Sequence, residues 1–132
     1  MSFLDKAKGL LARIGKAFAV DLSPEIARDL IADYLKNASV EDLVAYVESG
    51  ESVFEKVWGS MREETRKKIV NVLSHFKEAR EKITPRTVLE ALVEVERYDL
   101  LSVFVNSRKA LEWLNREVET AKKHLWPENV KA

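Results

Sequence analysis

An all-α fold, an irregular single-domain bundle of five to seven short helices stacked as hairpins, follows from three features of this 132-residue chain. Apolar residues recur at spacings of three and four and never alternate over a sustained run, which is the period of a helix and not of a strand. Start signals stand where those runs begin. Pro24, Pro85 and Pro127 all fall at the ends of periodic runs, so the run interiors hold no helix breaker.

The elements follow in order. Phe3, Leu4, Ala7, Leu10, Leu11, Ile14, Ala17 and Phe18 occupy an arc of about 140° at helical spacing, with Lys6, Arg13 and Lys16 opposite. Ser23 as N-cap and Pro24 at the first helical position open a second helix carrying Ile26, Ala27, Leu30, Ile31, Tyr34 and Leu35 and stopping near Asn37. Ser39 and Asp42 form a variant capping box for a third helix that runs to Gly50. A short helix from Glu51 to Trp58 ends at Gly59, and Ser60 with Glu63 predicts a full capping box for one long helix reaching Ile83. Thr84 and Pro85 repeat the capped start, and the last helix begins near Ser107 and ends before Pro127. The predicted core is Leu30, Ile31, Leu43, Val47, Ile69, Val72, Phe76, Leu92, Leu111, Leu114 and Val118. Connections of two to four residues leave no linker, so residues 21–132 read as one compact helical domain preceded by the amphipathic helix of residues 1–20. Leu43-Val44 recurs as Leu92-Val93 and Ser52-Val53-Phe54 as Ser102-Val103-Phe104, but offsets of 49 and 50 slip against each other and read as shared helix grammar.

Lys and Arg number 22 and so do Asp and Glu, but the neutral total conceals blocks. Residues 1–20 sum to +3, 21–60 to −6, 61–86 to +4, 87–106 to −3 and 107–132 to +2. Glutamine is absent, asparagine appears five times and a third of the chain is charged, a thermophile-like composition. The longest charge-free stretches, such as Leu100 to Ser107, are far shorter than the roughly 20 residues of a membrane span, and charges interrupt the N-terminal apolar run where a secretory signal has none. A cytoplasmic location is the expectation.

The residue types that carry chemistry are sparse. No cysteine is present, which removes thiol catalysis and thiolate metal sites, and four glycines leave no phosphate-cradling loop. His75 and His124 lack the carboxylate spacing of a bundle metal site and read as structural or exposed. Asp21, Glu25, Asp29 and Asp33 form an acidic ladder that reads as a solvated face before it reads as a cation site. No catalytic residue, cofactor, metal or small-molecule substrate is expected. Trp58 reads as a wedge between helices and Trp126 as a C-terminal plug, while Trp113 either meets a second helix or is exposed.

The expected function is a non-enzymatic interaction or scaffold role. Its docking element is the N-terminal helix, through Phe3, Leu10, Leu11, Ile14 and Phe18, with Trp113 as a further contact residue. A protein partner, a second copy or a membrane surface would cover it, against the plainer reading that it is the bundle's first helix. The alternative is nucleic-acid binding. Residues 99–116, with the core LLSVFVNSRKALEWLN, resemble a helix-turn-helix: a short helix, a turn at Phe104 to Asn106, Arg108 and Lys109 at the next N-terminus, and Ala110, Trp113 and Leu114 inward. Phe104 stands where the motif usually has glycine and Leu100 where a small residue is usual. That resemblance implies a basic surface of Arg62, Arg66, Arg108, Lys109 and Arg116.

Overall fold

The computed structural model describes residues 36–127 and, near the N-terminus, Gly9. The described residues form seven helices and no strand: α1 (Val40–Ser49), α2 (Val53–Ser60), α3 (Glu63–Leu73), α4 (Lys77–Lys82), α5 (Pro85–Glu94), α6 (Tyr98–Val105) and α7 (Arg108–Leu125). Gly9 is helical and exposed, on the side opposite the apolar arc read from the sequence. The residues of that arc lie outside the described residues, as do Leu30, Ile31 and the acidic ladder. Lys36 is the last helical residue before Asn37, where the second helix is expected to stop, and its carbonyl accepts a 2.8 Å hydrogen bond from the Arg97 guanidinium.

Local side-chain caps set most helix starts. The hydroxyls of Ser39, Ser52, Thr84 and Ser107 accept from the amides of Asp42, Glu55, Thr87 and Ala110 at 3.0–3.3 Å, each satisfying a donor that the first turn would otherwise leave open. α1 ends at Gly50, whose φ of 76° suits a residue without Cβ. α5 ends the same way on a residue that does not suit it. Glu96 has φ 58°, and the bonds Glu96 N to Val93 O and Arg97 N to Leu92 O complete a Schellman turn.

The capping box expected at Ser60 and Glu63 is not formed. The Ser60 hydroxyl donates to the Val57 carbonyl at 2.8 Å and closes α2, which runs through Gly59, so that α3 starts from Arg62 without a side-chain cap. The single long helix expected over 61–83 is two helices, α3 and α4. At the break the Trp126 indole donates to the Leu73 carbonyl at 2.9 Å, and Phe76 leaves the helical region with φ −131° and ψ 56°.

α7 spans about 27 Å at helical rise and forms the axis of the bundle. α1, α2, α3, α5 and α6 all pack on it. One apolar core runs through the described residues, with Val57, Leu73, Leu92 and Leu100 fully buried and Leu43, Val47, Ile69, Leu114 and Val118 buried around them. Val72 and Phe76 of the predicted core are half-buried. Leu111 is a correction, at 38% exposed. Reading α7 from Leu111, Leu114, Val118, Ala121 and Leu125 centres its apolar arc about 50° away from the buried one, because Ala110 and Trp113 are inside and Glu117 is half-buried on the same side.

Candidate interaction surface

Of the residues expected to dock a partner, Phe3, Leu10, Leu11, Ile14 and Phe18 lie outside the described residues. Trp113 belongs to the core and not to the surface. It is 6% exposed, and its indole donates to the Glu51 carbonyl at 2.9 Å, so the ring is committed between α7 and the α1–α2 connection. Trp58 is the wedge expected of it, buried and stacked on Phe54 at 5.5 Å, and Trp126 is the plug that breaks α3.

The side of α7 next to Trp113 holds α2 by polar contacts. Glu117 Oε1 accepts from the amides of Val53 and Phe54 at 3.0 and 3.1 Å, so a carboxylate from the last helix caps the first turn of α2 beside its own cap, Ser52. Burial pushes the Glu117 carboxyl above the ordinary glutamate range, and the hydrogen bonds from Ser52, Phe54 and Val53 pull the other way without overcoming it. Two turns further along α7, His124 Nε2 lies 3.1 Å from Glu55 Oε2, and the imidazole stacks on Phe54 at 5.7 Å. His75 is exposed, and no cluster of His, Asp and Glu suited to a metal ion occurs among the described residues.

The five cations of the nucleic-acid reading do not gather into one patch. Arg108, Lys109 and Arg116 are exposed along α7, and Arg62 is exposed ahead of α3. Arg66 donates to the Trp58 carbonyl at 3.2 Å, and Trp58 lies 5.8 Å from His124. His124 is 16 residues beyond Arg108 on one helix, which separates those ends of α7 by about 24 Å. Lys109 Nζ is also 3.3 Å from Glu48 Oε1, which places an acid at the N-terminal turn that would have to approach phosphate. The joint between α6 and α7 is Asn106 and Ser107; Asn106 has φ −100°, so no glycine is required, and Phe104 is buried. Ala110, Trp113 and Leu114 do point inward as the motif's pattern asks.

The described surface includes grooves. One, of about 510 Å³, is lined by Trp58, Arg66, Lys67, Val70 and Asn71 on α2 and α3. Another, of about 320 Å³, lies between α1, α6 and the start of α7 and is lined by Val44, Val47, Val103 and Ala110 under the Lys109–Glu48 pair. More distinctive is the outer side of α6. That helix buries Leu100 and Phe104, and its outward side carries Tyr98, Ser102 and Val105 with Asp99 beside them; Tyr98 and Val105 are each 57% exposed, and Val93 of α5 is 47% exposed. The sequence signal for it is the charge-free run from Leu100 to Ser107, which does not say which side faces out. Comparison with protein families, characterised proteins and solved structures finds no match to this chain.

Proposed function

We propose that this protein is a non-enzymatic interaction module whose amphipathic, basic helix of residues 3–18 docks on a protein partner, a second copy or a membrane surface. The observation that carries this reading is the segregation of that helix: eight apolar residues on one arc, cations opposite, and Gly9 helical and exposed on the far side where the phase requires it. Its two glycines lower intrinsic helicity by about 1 kcal/mol each, so contact with an apolar surface orders it. Tyr98 and Val105, large hydrophobic residues exposed on α6, support an interaction role from a second direction.

Removing residues 1–20 tests the reading. A truncated protein that melts cooperatively but loses association in light scattering, or loses co-sedimentation with anionic liposomes, supports it. A truncated chain that is unfolded, from a parent that is monomeric and indifferent to lipid, overturns it.

Nucleic-acid binding is the second reading, favoured by α6, the short joint and the exposed Arg108 and Lys109 at the start of α7. Replacing both cations by Ala would then weaken duplex binding and lower its salt slope by up to about two. Absence of a gel shift at low salt discards it.

A further inference from the structure

We infer that Trp126 is a plug competing with Phe76 for one apolar seat beside Leu73, and that residues 63–82 are a two-state element: two helices while the indole is seated, one helix when it leaves. The inference is independent of the docking helix, since Leu73, Phe76 and Trp126 all belong to the described core. Locally the chain favours one helix. Residues 63–82 contain no glycine and no proline, and Glu63–Lys67, Glu64–Lys68 and Glu78–Lys82 stand in the supporting i, i+4 order, the first of them paired at 3.6 Å. As a separate helix α4 is poorly supported. It has six residues, its first turn takes no side-chain cap from Phe76, and of its residues only Ala79 is buried.

The contact that divides the segment comes from 53 residues away. The Leu73 carbonyl accepts from the Trp126 indole at 2.9 Å and from the Phe76 amide at 2.9 Å, and the His75 amide donates to the Val72 carbonyl at 3.1 Å. The turn therefore tightens to i, i−3 bonds where a continuous helix would bring the Lys77 amide to Leu73. Phe76 is the ring that the seat would otherwise hold. It follows Ile69 by seven residues and Leu73 by three, on the stripe where both are buried, yet it is half-buried with φ −131° and ψ 56°. One carbonyl and one seat thus serve two arrangements: the indole in and Phe76 turned out of the helix, or Phe76 in, with the Lys77 amide on Leu73 and α3 running into α4. Places where local preference and a distant contact disagree are strained or functional, and here the strain is released when the indole leaves. The movement falls on α4 and on Ile83 and Thr84, both extended, and gives up the 2.7 Å bond from the Thr87 hydroxyl to the Lys82 carbonyl.

Two sets of variants test this from opposite sides. Ser74→Ala with His75→Ala, at exposed positions, raises helix propensity at the break and removes the 2.6 Å bond from the Ser74 hydroxyl to the Asn71 carbonyl, leaving the seat untouched. With the three tryptophans replaced by 5-fluorotryptophan and Trp126 assigned by its loss in Trp126→Phe, the Trp126 fluorine signal is expected to show a second, solvent-exposed state. Its population should rise severalfold over wild type while the Phe76 Cα shift moves toward the helical value. Trp126→Ala is expected to complete the change, with helical carbon shifts from Ser74 through Lys77 and at least about tenfold slower exchange of the Lys77 amide, which gains the Leu73 carbonyl. Where circular dichroism shows that this variant does not fold, Trp126→Phe, which keeps a ring and loses the donor, is read in its place and should shift the same way more weakly. A single buried Trp126 signal in the Ser74→Ala, His75→Ala protein overturns the inference, and so do non-helical Phe76 shifts in a folded Trp126 variant.

Discussion

α1–α2 and α5–α6 are built alike, a ten-residue helix, a left-handed residue at the turn and an eight-residue helix, yet they pack differently. α5 and α6 pack against each other, whereas α1 packs on α6 and α7 and α2 packs on α7. The elements repeat at an offset of 45 residues, from Val40 to Pro85 and from Val53 to Tyr98, and not at the 49 or 50 of the short sequence matches. Leu43 and Leu92 are both buried and Val44 and Val93 both exposed because each pair straddles the edge of an apolar arc. The difference lies in polar contacts. α2 is held to α7 by Glu117, by the His124–Glu55 contact and, at the preceding residue, by the Trp113 bond to Glu51, while α6 meets its neighbours through Leu100 and Phe104. Directional bonds hold α2 on α7, and an apolar joint leaves α6 paired with α5.

The largest effect is expected from emptying the apolar joint. Leu100→Ala should cost about 2–5 kcal/mol in urea unfolding, since a fully buried side chain leaves a cavity in the core. Removing the polar clasp should cost less. Glu117→Ala leaves the Val53 and Phe54 amides without their acceptor, for about 1–3 kcal/mol, and hydrogen exchange should show faster opening in α2 than in α6. Glu117→Gln keeps an acceptor oxygen and should recover much of that loss.

The same pair of variants separates charge from geometry through pH. The Glu117 carboxyl titrates above its unfolded value, so its contribution to stability is fully present below the ordinary glutamate pKa and is lost as pH rises through the raised folded value. On acidification from neutral the wild type should therefore gain stability relative to Glu117→Gln, as read from urea midpoints of both across that window. Asp99 acts in the opposite sense. Its bond to the Arg97 guanidinium holds it below the ordinary aspartate range, so its contribution is present above the unfolded pKa and fades as pH falls through the folded one.

The two turns should respond with opposite sign. Gly50→Ala forces a Cβ into the left-handed region and should cost about 1 kcal/mol, while Glu96→Gly relieves the same conformation and should raise stability by about as much. The smallest effect is expected on the outer side of α6: Val105→Thr should change stability by less than about 0.5 kcal/mol, as read from urea midpoints.

How much could be read in advance depended on how far apart the partners stood. The starts of α1, α5 and α7 and the stops at Gly50 and ahead of Pro127 were legible because a cap joins residues three or four apart. Ser60 misled because its hydroxyl had a choice between two local partners and closed α2 instead of opening α3. For the candidate surface, the amphipathic arc of residues 3–18 and the uncharged run of α6 were visible in the residue order, but the burial of Trp113 and the outward side of α6 were not.

The sequence by itself determined an all-α chain, most of its helix boundaries and the alternation of basic and acidic blocks, since these follow from periodicity, caps and composition. Only the tertiary structure decided the break between α3 and α4, the phase of α7 and the separation of α1 from α2. Each of those depends on a contact between residues far apart in the chain: Trp126 with Leu73, Trp113 with Glu51, and Glu117 with Val53, at separations of 53, 62 and 64 residues. An indole or a carboxylate shows in a sequence as a residue type, but the carbonyl or amide that it meets is chosen by packing.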